Sequence, residues 1–258
     1  MKYILKIKYI GTAYCGFQCQ KNGTAVQNVL TEAASRVFKC PCLVTGCSRT
    51  DSGVHALGFC ATVEPSEMVS IPAGKLHRAF AAFLPDDIAV VAAAEVAEDF
   101  HPRYSSKGKN YIYRIWDGPY EDPFEKKRSM RLTPAVSHSG LDRMKRAASH
   151  FVGTHDFSAF MAKGSKITDA VRTVRSAEVY RENGGCIVFS VSADGFLYNM
   201  VRIMVGTLCD VAQGRAEPDE IPGIIKGRDR SRAGSTAPPE GLYLNEVFYD
   251  ENIDWKCE

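Results

Sequence analysis

Apolar and polar residues alternate strictly in some stretches of this chain and recur every three to four positions in others. Lys2–Tyr9 alternates, with lysines at 2, 6 and 8, and reads as a strand. Gly11 to Gly23 is a turn-rich loop holding Tyr14, Phe17, Gln18 and Gln20. From Ala25 to Phe38 the apolar positions Val26, Val29, Leu30, Ala33, Ala34 and Val37 predict a helix, with Thr24 as its N-cap. Apolar runs at 43–44 and 59–63 predict two strands flanking the short segment Gly46 to Ala56. A helix over 72–83 and strands over 88–96 and 111–116 follow. A similar order then recurs. A helix is expected over 141–151, and strands over 171–180 and 186–193 around a Glu182-Asn183-Gly184-Gly185 turn. A long apolar helix over 196–211 is broken only by Asn199, Arg202 and Asp210, and a strand over 243–249 comes last. The pattern predicts an α+β fold of two similar halves, each with a mixed, mostly antiparallel sheet flanked by helices. The expected division is 1–104 and 105–258, because basic and small residues replace core pattern near 101–108.

Composition adds little to that picture. The 258 residues suffice for a full core. A net charge of +2 points to no partner, but cations gather at 103–114, 126–131, 143–146, 163–175 and 226–232. Such clusters serve either as solvated faces or as basic patches for a polyanion. The nine cysteines are scattered without a framework, as expected of free thiols in a reducing cytosol. Cys15/Cys19 and Cys40/Cys42 have no second pair at zinc-site spacing, so no metal is expected. The alternating start is expected to be strand rather than leader peptide, and no apolar run approaches a membrane span.

Candidate chemistry centres on Gly46-Cys47-Ser48-Arg49-Thr50-Asp51-Ser52-Gly53-Val54-His55-Ala56. Asp51 alone would pass for a turn aspartate bonding its own backbone. Its neighbours add a second reading. Arg49 suits a carboxylate or a phosphate, and Gly53 admits another backbone or a ligand. An ionised carboxylate on a loop between strands can act as nucleophile or base. Tyr111 and Tyr113 share one face of their strand, either as core or as a stacking surface beside Lys107, Lys109 and Arg114. Arg202 lies inside an apolar helix, where it either snorkels to water or is held for a carboxylate. His55, His101 and His155 lack metal spacing and read as local hydrogen bonders.

The segment from Gly46 to Ala56 resembles the signature of the tRNA pseudouridine synthase A (TruA) family. The likeness extends in order along the chain: Tyr9-x-Gly11-x-x-Tyr14-x-Gly16-Phe17-Gln18, Asp99 to Tyr104, Lys109-x-Tyr111-x-Tyr113, His155-Asp156-Phe157, Phe196 to Arg202, and Thr236 to Leu244. The resemblance implies the pseudouridine synthase fold with a central active-site cleft. It implies isomerisation of uridine to pseudouridine at positions 38, 39 and 40 in the tRNA anticodon stem-loop. By that likeness Asp51 is the nucleophile, adding at the ribose C1′ or at C6 of the base. Tyr111 packs on the target base, and Arg49 and Arg202 hold the nucleotide and the carboxylate. The resemblance further implies a cytoplasmic homodimer that acts on tRNA without cofactor or metal. Two departures stand out. Cys19 replaces an arginine common in relatives, and Tyr198-Asn199 replaces a pair often rich in histidine. The rival reading is an RNA-binding module without catalysis, which would gain nothing from a carboxylate facing phosphates.

Overall fold

The computed structural model describes every residue except 22, 165, 166, 183, 184, 251 and 258. The middle of the expected 182–185 turn therefore lies outside the described residues. Chain contacts divide the protein into two units, residues 1–107 with 243–258 and residues 108–242.

The first unit is built on β1 (Lys2–Tyr9), β2 (Cys42–Gly46), β3 (His55–Pro65), β4 (Ile88–Val96) and β10 (Leu242–Tyr249). β1 lies antiparallel between β3 and β4, and β2 pairs antiparallel with β3 from Cys42↔Pro65 to Gly46↔Ala61. β10 joins β3 in parallel through Tyr243↔His55 and Leu244↔Ala56. The boundary falls after residue 107 rather than 104, and this pairing explains the larger departure from the expected division. The last strand completes the sheet of the first unit, so residues 243–258 belong there and not with the second half. Helices α1 (Val26–Phe38) and α2 (Ala73–Ala81) pack on this sheet, and Tyr3 meets Phe38 at 5.4 Å between ring centres. The N-cap of α1 is Ala25 rather than Thr24. The Asn28 side-chain oxygen accepts the Ala25 N–H at 3.0 Å, while the Thr24 carbonyl accepts the Cys15 N–H.

The second unit carries β5 (Ser106–Trp116), β7 (Gly153–Asp156), β8 (Val171–Arg181) and β9 (Ile187–Ala193), paired antiparallel in the order β5-β9-β8-β7. β6 (Met130–Arg131) adds a short parallel pairing to β5. Helix α3 (His138–Ser149) packs on β8 and against α4 (Met200–Ala212), and α5 (Ile221–Gly227) follows. Phe151, Phe160 and Phe189 meet in a wholly buried aromatic cluster. α3 begins a turn before the apolar pattern because the Ser137 hydroxyl accepts the Gly140 N–H at 3.0 Å. α4 begins four residues after the expected start. Asn199 adopts a left-handed conformation (φ 58°), which halts helix formation before Met200 and leaves Phe196 outside it.

Candidate active site

In the first unit the hairpin between β2 and β3 carries Arg49 and Asp51, and the opening loop after β1 holds it in place. The Phe17 N–H donates to the Thr50 carbonyl at 3.2 Å, and the Thr50 hydroxyl meets the Tyr9 hydroxyl at 2.9 Å. On the other side of Asp51, the Ser52 hydroxyl and the Gly53 N–H both donate to the Tyr14 carbonyl, at 3.2 and 3.4 Å. A turn closes beneath the carboxylate, from the Val54 N–H to the Asp51 carbonyl at 3.2 Å. Tyr14 is fixed in turn, because its hydroxyl donates to Asp87 at 2.6 Å. Burial and this carboxylate push the Tyr14 phenol well above its ordinary range, so it stays a neutral donor.

Two glycines make the close approach possible. A Cβ at Gly16, whose φ is +98°, would sit 2.4 Å from the Thr50 carbonyl oxygen; one at Gly11 would sit 1.9 Å from the Val54 oxygen. Gly46 makes room for an aromatic ring instead of a turn. Phe17 lies over it and stacks on Phe59 at 4.2 Å. His55, wholly buried, accepts the Gly11 N–H on Nδ1 at 2.9 Å and stacks on Tyr243 at 4.6 Å. It is the local hydrogen bonder expected, and in the neutral ring its proton sits on Nε2. The two motifs of the first unit are thus one construction. The opening loop is the back wall of the Asp51 hairpin.

Asp51 is half-buried at the end of this frame, and Arg49 is exposed. The Arg49 side chain makes no ion pair or hydrogen bond among the described residues. Its guanidinium is presented to solvent.

Tyr111 and Arg202 belong to the second unit. Tyr111 is 7% exposed on β5 and meets the edge of Phe196 at 5.0 Å with the rings at 81°. Tyr113, on the same face, is core. Its hydroxyl donates to the Pro238 carbonyl at 2.7 Å, its ring lies against Gly241, and burial raises its pKa far above the ordinary value. The expected cationic surround of these rings is only partly present. Arg114 points to the opposite face of β5, forked between Glu182 at 2.6 Å and Glu125 at 2.9 Å, and Lys107 pairs with Asp250.

Arg202 does not snorkel freely. Its Nε donates to the Ala237 carbonyl at 2.7 Å and one terminal nitrogen donates to Asn199 Oδ1 at 2.8 Å, while the Ala237 N–H returns to the Arg202 carbonyl. The segment 233–237 can approach α4 because Gly206 and Gly234 leave no Cβ in the way. Added carbons there would lie 1.8 Å from the Ser235 oxygen and 2.5 Å from the Thr207 nitrogen. Asn199 thereby gains a role the sequence left open. It tolerates the left-handed backbone at the helix start and orients the arginine. Nothing in the pattern of α4 signalled Ala237 as the second anchor, since a backbone carbonyl carries no residue signature. Arg228, in another basic cluster, pairs with Asp156 at 3.1 Å.

A family model described as tRNA pseudouridine synthase matches residues 6–105 and 147–250. A tRNA pseudouridine synthase A of Ruminiclostridium cellulolyticum is 45% identical over 248 residues, covering 96% of this chain and 99% of that protein. The protein of the same name from Acetivibrio thermocellus is 45% identical over 246 residues, covering 95% and 98%. Among solved structures, a chain of a Cbf5-Nop10-Gar1 complex aligns with a TM-score of 0.38 and 12% identity. The alignment covers 96% of this chain and half (50%) of that one, a likeness too loose to assign anything.

Proposed function

The chain belongs to the tRNA pseudouridine synthase family, and from that premise we propose that it isomerises uridines 38, 39 and 40 of the tRNA anticodon stem-loop with Asp51 as nucleophile. The observation that carries the assignment is the frame around Asp51. The residues on either side of half-buried Asp51 are held by hydrogen bonds to a loop whose glycines allow that approach. A turn aspartate serving only its own backbone has no need of such a frame.

In the simplest sequence of steps, an Asp51 oxygen adds to C1′ as the C1′–N1 bond breaks and its electron pair leaves with the uracil. The freed uracil rotates, C5 displaces the carboxylate from C1′, the C5 proton leaves, and N1 takes up a proton. Atoms and charge balance, since the product is an isomer of the substrate. The nucleotide has to leave its stack first, at a cost of a few kcal/mol. Contacts to the phosphate backbone, Arg49 among them, offset that cost. Tyr111 packs on the extruded base and takes part in removing the C5 proton, and Arg202 binds the substrate nucleotide. The same reading makes the protein a cytoplasmic homodimer; no helix among the described residues is long and apolar enough to cross a membrane.

Tyr111→Phe keeps the ring and removes the hydroxyl. Single-turnover pseudouridine formation is expected to fall about 100-fold with tRNA affinity unchanged; an unaltered rate would leave only the ring in play. Asn199→Gly keeps the left-handed backbone accessible but deletes the acceptor for Arg202. A charge-assisted hydrogen bond is lost, so turnover should drop about tenfold, and Asn199→Asp should restore it. Equal rates in all three proteins would remove Asn199 from the positioning of Arg202.

A further inference from the structure

The turn over residues 101–105 lies outside the residues assigned above, yet it is built more firmly than a connecting loop requires. His101 Nδ1 accepts the N–H groups of Arg103 at 3.1 Å and Tyr104 at 3.3 Å. The Ser105 N–H donates to the His101 carbonyl at 2.9 Å, and the Ser105 hydroxyl accepts the His101 N–H at 3.2 Å. The Tyr249 hydroxyl ties down the Pro102 carbonyl at 2.8 Å. What this scaffold displays is Tyr104, whose surface is 76% exposed. The imidazole of His101 supports the ring at 4.3 Å, and the Arg103 guanidinium lies 5.8 Å from its centre. Arg103 is itself exposed.

An aromatic ring this exposed gains little from burial, so its fixed orientation calls for another reason. A π-face held by a rigid turn, with a guanidinium beside it, matches the chemistry of an unpaired nucleobase and its adjoining phosphate. An acidic or apolar protein surface would use the cation or the ring, but not both together. We propose that Tyr104 is an RNA-stacking platform, taking an unpaired base of the tRNA substrate on its outer face while Arg103 reaches the neighbouring phosphate. The inference rests on the tRNA reading above and adds a contact surface to it. It separates two tasks on one chain, chemistry at Asp51 and grip at residues 103 and 104.

Affinity of the full-length protein for an unmodified tRNA transcript tests it. Tyr104→Ala should weaken binding about tenfold, as loss of one base stack does, and Tyr104→Phe by no more than about twofold. Arg103→Gln should lower the slope of log affinity against log salt by about one. Tyr104→Trp places a reporter on the platform, and tRNA should quench its fluorescence beyond any quenching seen in the parent protein. Unchanged affinity in Tyr104→Ala with no added quenching in Tyr104→Trp overturns the proposal. So does a loss of affinity that tracks a change in sedimentation, which would make the ring a contact with a second copy of the chain. If the parent protein forms pseudouridine and Tyr104→Ala binds as tightly, the platform alone falls. If the parent forms none, the functional reading fails and takes this inference with it.

Discussion

Asp51→Asn is expected to lose at least about 1,000-fold in single-turnover pseudouridine formation, the scale seen when a nucleophile is removed from a framed site. Its affinity for tRNA should stay within about threefold, because phosphate contacts supply most of the binding free energy. The substitution is nearly isosteric, and the hydrogen bonds that frame the loop run through the backbone of residues 50, 53 and 54 and the Ser52 hydroxyl. The carboxamide should therefore occupy the same place, and the lost quantity is nucleophilicity. Circular dichroism and the melting temperature should match the parent protein. A variant within tenfold of parental activity would return Asp51 to the role of a turn residue. It would also revive the reading of the chain as a binding module.

Gly16→Ala carries the second large effect, although residue 16 touches no substrate. Its φ of +98° strains any side chain, and the new carbon would lie 2.4 Å from the Thr50 oxygen. The strain costs about 1–3 kcal/mol. The clash can be relieved only by moving the opening loop or the Asp51 hairpin. A displacement near 1 Å at reacting groups costs about 100-fold in rate. Turnover should thus fall about 100-fold, while the strain lowers the melting temperature by about 2–12 °C, at about 2–4 °C per kcal/mol for a chain of this size. Gly214→Ala is the control. Its φ is +74° and nothing lies within 4 Å of the added carbon, so it carries the strain without the clash. If both variants lose stability alike and keep full turnover, the opening loop does not position Asp51.

Much of this arrangement was legible before the fold was known. β1 and β4 were legible at their observed bounds, β1 from its lysines alternating with apolar residues and β4 from a short, almost wholly apolar run. The Asp51 hairpin was legible in the same way, together with its glycines. The packing of the opening loop behind it was not. The contacts involved join residues 14 and 17 to residues 50, 52 and 53, all but the Ser52 hydroxyl through backbone atoms, which no residue type announces. The start of α4 was misplaced because Phe196 and Leu197 continue the apolar run, while the left-handed turn at Asn199 that ends it is a backbone event. The membership of residues 243–258 in the first unit was hidden too. A parallel pairing of β10 with β3 is a long-range contact, and its two strands are separated by the whole second unit. Arg114 shows the opposite failure. Proximity in sequence to Tyr111 suggested a shared surface, but alternation along β5 sends it to the other face and into two glutamates.

Release of the C5 hydrogen tests the central claim most directly. An unmodified tRNA transcript carrying tritium at C5 of its uridines is incubated with the purified protein, and tritium in the water is counted against pseudouridine in the digested RNA. Exchange of the N1–C1′ bond for a C5–C1′ bond predicts one tritium released per pseudouridine formed, at up to three sites in the anticodon stem-loop, with the mass of unlabelled tRNA unchanged. Saturating binding of the same transcript with no tritium released would contradict it.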